Sequence, residues 1–226
     1  MEIQNTGKLK NEFIKCLVYG EAGVGKTYLC STAPEPIIIS AESGLLCLRQ
    51  FNLPFIEIKT LADLQDAYNF CFDSNKTKNY QTICVDSITE IAEVLLVSEK
   101  KKTKDPRKAY GEVQDQMLSL IRQFRDLPNK HVYIAAKEGK VSDSFTGSIS
   151  YGPMMTGQKL SQHVPYFFDE VFRLFIYTDI QTSQSWRVLR TCGDQQSIAK
   201  DRSGVLAELE EPNLTNIFNK ILKGKN

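Results

Sequence analysis

Lys26 and Thr27 close an eight-residue run, Gly20-Glu21-Ala22-Gly23-Val24-Gly25-Lys26-Thr27, whose spacing G-x-x-x-x-G-K-[ST] is that of a loop that wraps a phosphate. The glycines let backbone N–H groups turn inward around an anion, and a helix that begins where the run ends adds its positive dipole end. The Lys26 ammonium suits the β- and γ-phosphates of a nucleotide, the Thr27 hydroxyl suits Mg²⁺, and Tyr28 extends the same nucleotide-binding stretch. Such a loop needs a carboxylate to anchor Mg²⁺, normally an Asp ending a buried strand beside the loop's own strand. Thr82-Ile83-Cys84-Val85-Asp86-Ser87 supplies one in Asp86. Hydrolysis also needs a group that orients the attacking water. Glu42 follows a strand ending at Ser40, at the carboxyl edge where open parallel sheets bind ligands. Its position alone suits a solvated loop glutamate equally well.

The flanking elements fit the loop. Residues 13–19 read as a buried strand before it, and 28–32 continue as helix until Pro34 forbids it. Pro36–Ser40, Pro54–Ile58, Tyr80–Val85 and His131–Ala136 read as further strands. Thr60, with Asp63 three residues on, predicts a capping box for a helix facing inward through Leu61, Leu64, Ala67 or Tyr68, Cys71 and Phe72. A helix after Asp86-Ser87 carries Ile88, Ile91, Ala92, Leu95 and Leu96 on one face, and another spans Glu112–Leu127. Between them Lys100–Lys108 holds six positive charges against one negative, with Pro106 breaking any helix. Residues 138–157 read as a long loop rich in Gly, Ser and Thr. Val171–Tyr177 and Trp186–Thr191 read as a closing hairpin, and Asn213 caps a last helix. The alternation predicts an α/β fold: a mostly parallel sheet, helices on both faces and a C-terminal antiparallel hairpin. It predicts one domain over residues 1–226, with 1–12 as a flexible N-terminal segment.

A net charge of +1 over 226 residues assigns any polyanion binding to a local patch and not to a global field. The six cysteines are scattered without metal-ligand spacing and several sit in apolar runs, which suits a reducing cytoplasm. Residues 1–10 lack the apolar core of a signal peptide, and no apolar run approaches the roughly 20 residues of a membrane span, so the expectation is a cytoplasmic chain without membrane contact.

The order phosphate loop, strand-Ala41-Glu42, strand-Val85-Asp86-Ser87 resembles the RecA-type recombinase core of P-loop NTPases. More closely, the chain resembles small phage RecA-like single-strand annealing proteins, grouped with phage nucleotide-binding AAA proteins. The further matches are Gly157-x-x-Leu160 leading to Val164-Pro165-Tyr166-Phe167-Phe168-Asp169-Glu170-Val171, then Ala199-Lys200-Asp201-Arg202-Ser203-Gly204 and Glu211-Pro212-Asn213-Leu214. The resemblance implies ATP and Mg²⁺ as cofactors, Gly20, Gly25, Lys26 and Thr27 on phosphate and metal, Asp86 on Mg²⁺ and Glu42 as the catalytic residue. RecA-like cores end the fifth strand in a polar sensor, usually Gln. Here Ala136-Lys137 stands there, and Lys137 takes the role as a cation reporting on the γ-phosphate. Lys200 and Arg202 would act as fingers on a neighbouring subunit's nucleotide, which implies a homo-oligomer, ring or filament.

The resemblance also implies two loops that bind single-stranded DNA. The first is the Lys100–Lys108 run, with Lys100, Lys101, Lys102, Lys104, Arg107 and Lys108 on phosphates. The second spans residues 137–151, where Lys140, Phe145 and Tyr151 mix cations with aromatics, as a sequence-tolerant single-strand surface does. The function this predicts is an ATP-dependent, weakly hydrolysing protein that promotes annealing or strand exchange in phage recombination. Two alternatives stand beside it: a P-loop kinase of a nucleotide or small molecule, and a switch ATPase whose basic segments contact a protein. One arginine among five lysines is a poor bidentate lid for the kinase.

Overall fold

Cys16-Leu17-Val18-Tyr19 is apolar throughout because it runs through the middle of a sheet covered on both faces. In the computed structural model, which describes residues 13–42, 44–142 and 147–224, β1 (Lys15–Gly20) passes through the loop into α1 (Lys26–Leu29) and a 3-10 turn at Cys30–Thr32. There follow β2 (Pro36–Ser40), a 3-10 helix at Leu45–Phe51, β3 (Phe55–Glu57), α2 (Leu61–Phe72), β4 (Thr82–Asp86), α3 (Ile88–Lys102) and α4 (Pro106–Arg125). Then come β5 (His131–Ser142), β6 (Ile149–Pro153), α5 (Gln158–His163), β7 (Glu170–Thr178) and β8 (Ser185–Arg190). The two-residue strands β9 (Lys200–Asp201) and β10 (Leu209–Glu210) and the helix α6 (Leu214–Lys223) complete the order. Residues 1–12, expected as a flexible segment, lie outside the described residues.

The strands lie in the order β10-β8-β7-β1-β5-β4-β2-β3, with β6 on β5 and β9 on β7. The path from β7 to β3 is parallel throughout, and β8, β10, β6 and β9 add antiparallel pairs. The fold is therefore the expected mixed α/β one, with the hairpin β7–β8 where residues 171–191 placed it. The sequence reading set β4 beside β1, and the structure corrects this: β5 lies between them, pairing with both.

Alternate residues of the central strands point into two separate cores. Leu17, Ile37, Ile39, Ile83, Val85, Val132 and Ile134 pack beneath α2, α3 and α4. Cys16, Val18, Ile38, Cys84, Tyr133 and Ala135 pack beneath α1 and α6. The capping box forms as read, with Asp63 N–H donating to Thr60 Oγ1 at 3.2 Å and Thr60 N–H to Asp63 Oδ2 at 2.8 Å. Of the predicted inward face of α2, Leu64, Ala67 and Cys71 are buried, whereas Leu61 and Phe72 at its flanks are exposed. Asn213 caps α6, accepting from Asn216 N–H at 3.0 Å. No described helix is long and apolar enough to cross a membrane.

Two segments read as loops are ordered elements. Pro106 does not break a helix but starts one: it occupies the first turn of α4 after the Asp105 cap, where the missing N–H costs nothing. The basic run is thus the end of α3, a turn at residues 103–105 and the start of α4. Likewise β5 does not stop at Ala136 but continues to Ser142 and folds back onto β6, so most of the described part of residues 138–157 is a β-hairpin.

His131, at the start of β5, is buried, accepts from Ile14 N–H through Nδ1 at 2.9 Å and stacks on Phe218 at 4.6 Å between centroids. Burial, helped by the Lys15 charge, holds its pKa down to about 4 against an ordinary 6.5. The unfolded chain therefore takes up a proton at this site that the folded chain refuses. The contribution is complete above pH 6.5 and is lost as the pH falls toward 4. Chemical denaturation across that window should show stability declining with acidity, and His131→Gln should flatten the decline.

Candidate functional site

The loop residues 20–25 turn at the carboxyl edge of the sheet, and two of their glycines are required, one by its backbone conformation and one by space. Gly25, which precedes α1, has φ of 113°. A Cβ on Gly20 would collide with the Leu174 carbonyl of the neighbouring β7. β4 ends at the same edge, so Asp86 meets α1 despite the intervening β5: Thr27 Oγ1 donates to Asp86 Oδ2 at 2.6 Å. β5 supports the crossing, because its Tyr133 hydroxyl donates to the Lys26 carbonyl at 2.8 Å. Asp86 is 1% exposed. Burial pushes its carboxyl above the ordinary value and Glu42 adds to this, while the Thr27 hydroxyl and the Lys26 ammonium pull it back.

The Lys26 ammonium rests on carbonyls of its own loop, Gly20 O at 2.8 Å and Glu21 O at 2.7 Å. Burial lowers its pKa, opposed by the charges of Asp86, Glu42 and Glu138. Exchanging two neutral acceptors for anionic phosphate oxygens would strengthen both hydrogen bonds. Glu42 sits beside this group. Its segment is fixed by Ala41 N–H to Asp86 O at 3.0 Å and by Ser40 Oγ to Glu42 O at 2.5 Å. Ser87 Oγ donates to Glu42 Oε1 at 2.6 Å, and among the described residues Glu42 Oε2 takes no hydrogen bond. That leaves one carboxylate oxygen unengaged by the described residues.

These residues line a cleft of about 1530 Å³, bounded by Gly20–Gly23, Gly25–Tyr28, Glu42, Lys137 and Glu138, and on the far side by the β7–β8 hairpin. A hydroxyl and a carboxylate are hard oxygen ligands of the kind Mg²⁺ takes in ones and twos, with water and substrate phosphates completing the shell. Among the described residues no group of three or more His, Cys, Asp or Glu could hold a metal without such help. The donor set therefore fits Mg²⁺ brought with a nucleotide, held by Thr27 and Asp86.

Not every residue read as part of the site sits there. Val24 is buried beneath the loop in the α1–α6 core, leaving its carbonyl at the surface of the turn. Lys137 lines the cleft, but its ammonium donates to Glu90 Oε2 at 2.7 Å and lies 3.6 Å from Glu93, and that hydrogen bond raises its pKa. The charge that sequence assigned to sensing a γ-phosphate is thus already paired. Lys200 and Arg202 flank the start of β7, at the amino edge of the sheet and opposite the loop. There Lys200 donates to Pro165 O at 2.9 Å and Arg202 pairs with Asp169 at 2.7 Å.

In the basic run, Lys102 pairs with buried Glu99 at 2.7 Å and Lys100 lies over the Tyr110 ring at 5.4 Å. Lys101, Lys104, Arg107 and Lys108 are exposed and make no ion pair among the described residues. A shallow groove joins Pro106, Arg107 and Tyr110 to Thr156 and Gly157, and Gly157 also lines a second groove with Lys140 and Ile149. The two basic segments therefore border adjoining grooves. Tyr151 is half-buried with Arg173 stacked 4.4 Å from its ring, so one of its faces is occupied. Phe145 lies outside the described residues.

Sequence reading missed Glu138 and Arg187, both in the cleft wall. Neither lies in a recognisable spacing; Glu138 comes to the site because β5 runs on past Ala136, and Arg187 because β8 folds back along β7.

A family model described as an AAA domain matches residues 12–203. No curated protein matches the chain. Among solved structures, a KaiC-like protein from the hyperthermophilic archaeon Pyrococcus horikoshii aligns over 78% of this chain and 76% of its own, with 11% identity and a TM-score of 0.40.

Calorimetric titration with Mg²⁺-ATP should find affinity lowered on the order of 100-fold in Lys26→Ala, which loses the charge-assisted bonds to phosphate; an unchanged affinity would remove the assignment. Glu42→Gln should bind normally while any ATP turnover falls on the order of 100-fold.

Proposed function

This chain belongs to the AAA domain family, and from that premise we propose that it is an ATP- and Mg²⁺-dependent protein that grips single-stranded DNA as a homo-oligomer. The grip would serve annealing or strand exchange in phage recombination, as the resemblance of residues 157–171 and 199–214 implies. The family accounts for the nucleotide. The observation that carries the rest is the continuity of β5: Lys137 stands in register with Gly20 of the phosphate loop, and the same strand runs on into the hairpin that presents Lys140. A change at the nucleotide would move the hairpin through one backbone.

In this reading Lys26 moves from the loop carbonyls to the phosphates, and Thr27 and Asp86 hold Mg²⁺. The metal would supply positive charge to the phosphate oxygens. Glu42, held through Oε1 by Ser87, would orient a water with Oε2 and accept its proton as the water attacks the terminal phosphorus, while the bond from that phosphorus to the β,γ-bridging oxygen breaks and the nucleoside diphosphate leaves with the bridging oxygen's charge. Lys101, Lys104, Arg107 and Lys108, with Lys140 of the hairpin, are the exposed cations offered to DNA phosphates. Lys200 and Arg202, remote from the loop of their own subunit, would contact a neighbour's nucleotide in this reading.

One feature favours the kinase alternative. A cleft of about 1530 Å³ exceeds the roughly 300–1,000 Å³ of a single-ligand pocket, which leaves room for an acceptor beside ATP. Incubation with ATP separates the two: stimulation of phosphate release by single-stranded DNA supports the first reading, and a phosphorylated small product the second.

A labelled oligonucleotide titrated with and without ATP should bind more tightly with it. Replacing Lys101, Lys104, Arg107 and Lys108 together by Gln should make the slope of log affinity against log salt shallower by about 3, since each single-strand phosphate contact contributes roughly 0.7. An unchanged slope would put the DNA elsewhere.

A further inference from the structure

The β7–β8 hairpin closes the flank of the phosphate loop opposite Asp86, since β7 and β8 lie on one side of β1 and β4 on the other. From this flank Arg187 reaches back to the loop. Its Nε donates to the Val24 carbonyl at 2.7 Å, and its side chain lies 3.4 Å from where a Cβ on Gly25 would stand. Among the described residues its two terminal nitrogens have no hydrogen-bond partner and no carboxylate pairs with it, unlike Lys137, Arg173, Arg190 and Arg202. Arg187 lines the same cleft as Lys26 and Thr27. A guanidinium tethered through one nitrogen to the outside of a phosphate loop, with its fork unengaged, is arranged for bidentate contact with an anion.

We propose that Arg187 is a phosphate-binding residue, a second cation supplied to the triphosphate by the subunit that holds it. The proposal rests on reading residues 20–27 as the phosphate loop. It divides the charges of the cleft by flank: Lys26 and a Mg²⁺ held by Asp86 serve the β4 side, and Arg187 the hairpin side. The subunit that carries the loop then supplies a cation of its own to each flank of the triphosphate. The ligand class is a nucleoside triphosphate, or any linear polyphosphate of like charge.

Arg187→Gln tests this, because a glutamine amide can still donate to the Val24 carbonyl while the charge is lost. Mg²⁺-tripolyphosphate and Mg²⁺-ATP are titrated calorimetrically into the wild type, Arg187→Gln, Arg187→Lys and Lys26→Ala. The chain's single tryptophan, Trp186, is next to Arg187 and lines the cleft, so its emission offers a second signal. The expected result is roughly tenfold weaker binding of both ligands to Arg187→Gln, a shallower salt dependence, partial recovery in Arg187→Lys, and unchanged thermal melting. If Arg187→Gln binds both ligands as the wild type does while Lys26→Ala does not, Arg187 only pins the loop and the proposal falls alone. If Lys26→Ala also binds as the wild type does, the phosphate-loop reading falls with it.

Discussion

The contact between Thr27 Oγ1 and Asp86 fixes the relation between two strands that are not neighbours. Asp86 ends β4, Thr27 begins α1 after β1, and β5 separates them, yet the hydroxyl and carboxylate meet at 2.6 Å. A carboxylate this deeply buried is costly unless it is hydrogen-bonded or paired. Thr27 provides the hydrogen bond and Lys26 the compensating charge. The same requirement sets the height of α1 above the sheet, which Tyr133 supports from below. Removing the Thr27 hydroxyl would leave the buried Asp86 carboxylate without that hydrogen bond.

Much of this was legible because the controlling forces are local. The Gly20–Thr27 spacing, the Thr60–Asp63 capping box, the β-branched run of β2 and the Asn213 cap each depend on residues within a few positions of one another. What was not legible depends on the other end of the chain. The insertion of β5 between β1 and β4 is a choice of pairing partner, and a buried apolar strand such as residues 131–136 reads the same in any central position. Pro106 shows a different limit. Proline forbids a helix interior and favours a first turn, and only the Asp105 cap, whose side chain accepts from Arg107 N–H at 2.9 Å, decides between them. Arg187 carries no local signal, since its site is formed by chain folding back from more than 160 positions away.

The residues around Glu138 give the cleft a mechanical link to the rest of the sheet. Glu138 makes a bidentate pair with Arg173, at 2.8 and 3.0 Å, with both side chains largely buried. Arg173 stacks on Tyr151 of β6 and donates to Ser197 at 2.9 Å. Tyr19, one residue before the loop begins, has its hydroxyl within hydrogen-bond distance of two carbonyls, Tyr151 O at 2.9 Å and Ile198 O at 2.8 Å, which share its single hydrogen. Thr89 clamps the other side, donating to Met154 O at 2.8 Å and accepting from Lys137 N–H at 3.0 Å. The β6 strand is therefore held from the loop strand, from β7 and from the start of α3 at once.

This network bears on how a nucleotide would be felt. The charge of Lys26 is sustained by three carboxylates, Asp86, Glu42 and Glu138. A triphosphate entering among them adds negative charge where three already converge, and interactions in a partly buried cleft are weakly screened. A metal at Asp86 would offset that carboxylate, whereas among the described residues Glu138 is ion-paired with Arg173. Any displacement of Glu138 away from the phosphates must carry Arg173 with it or break a buried bidentate pair, and breaking such a pair is strongly destabilising. Because Arg173 lies on the Tyr151 ring, the less costly course would move β6. A coupling between cleft and hairpin would then follow from where the buried charges are paired, with no hinge required.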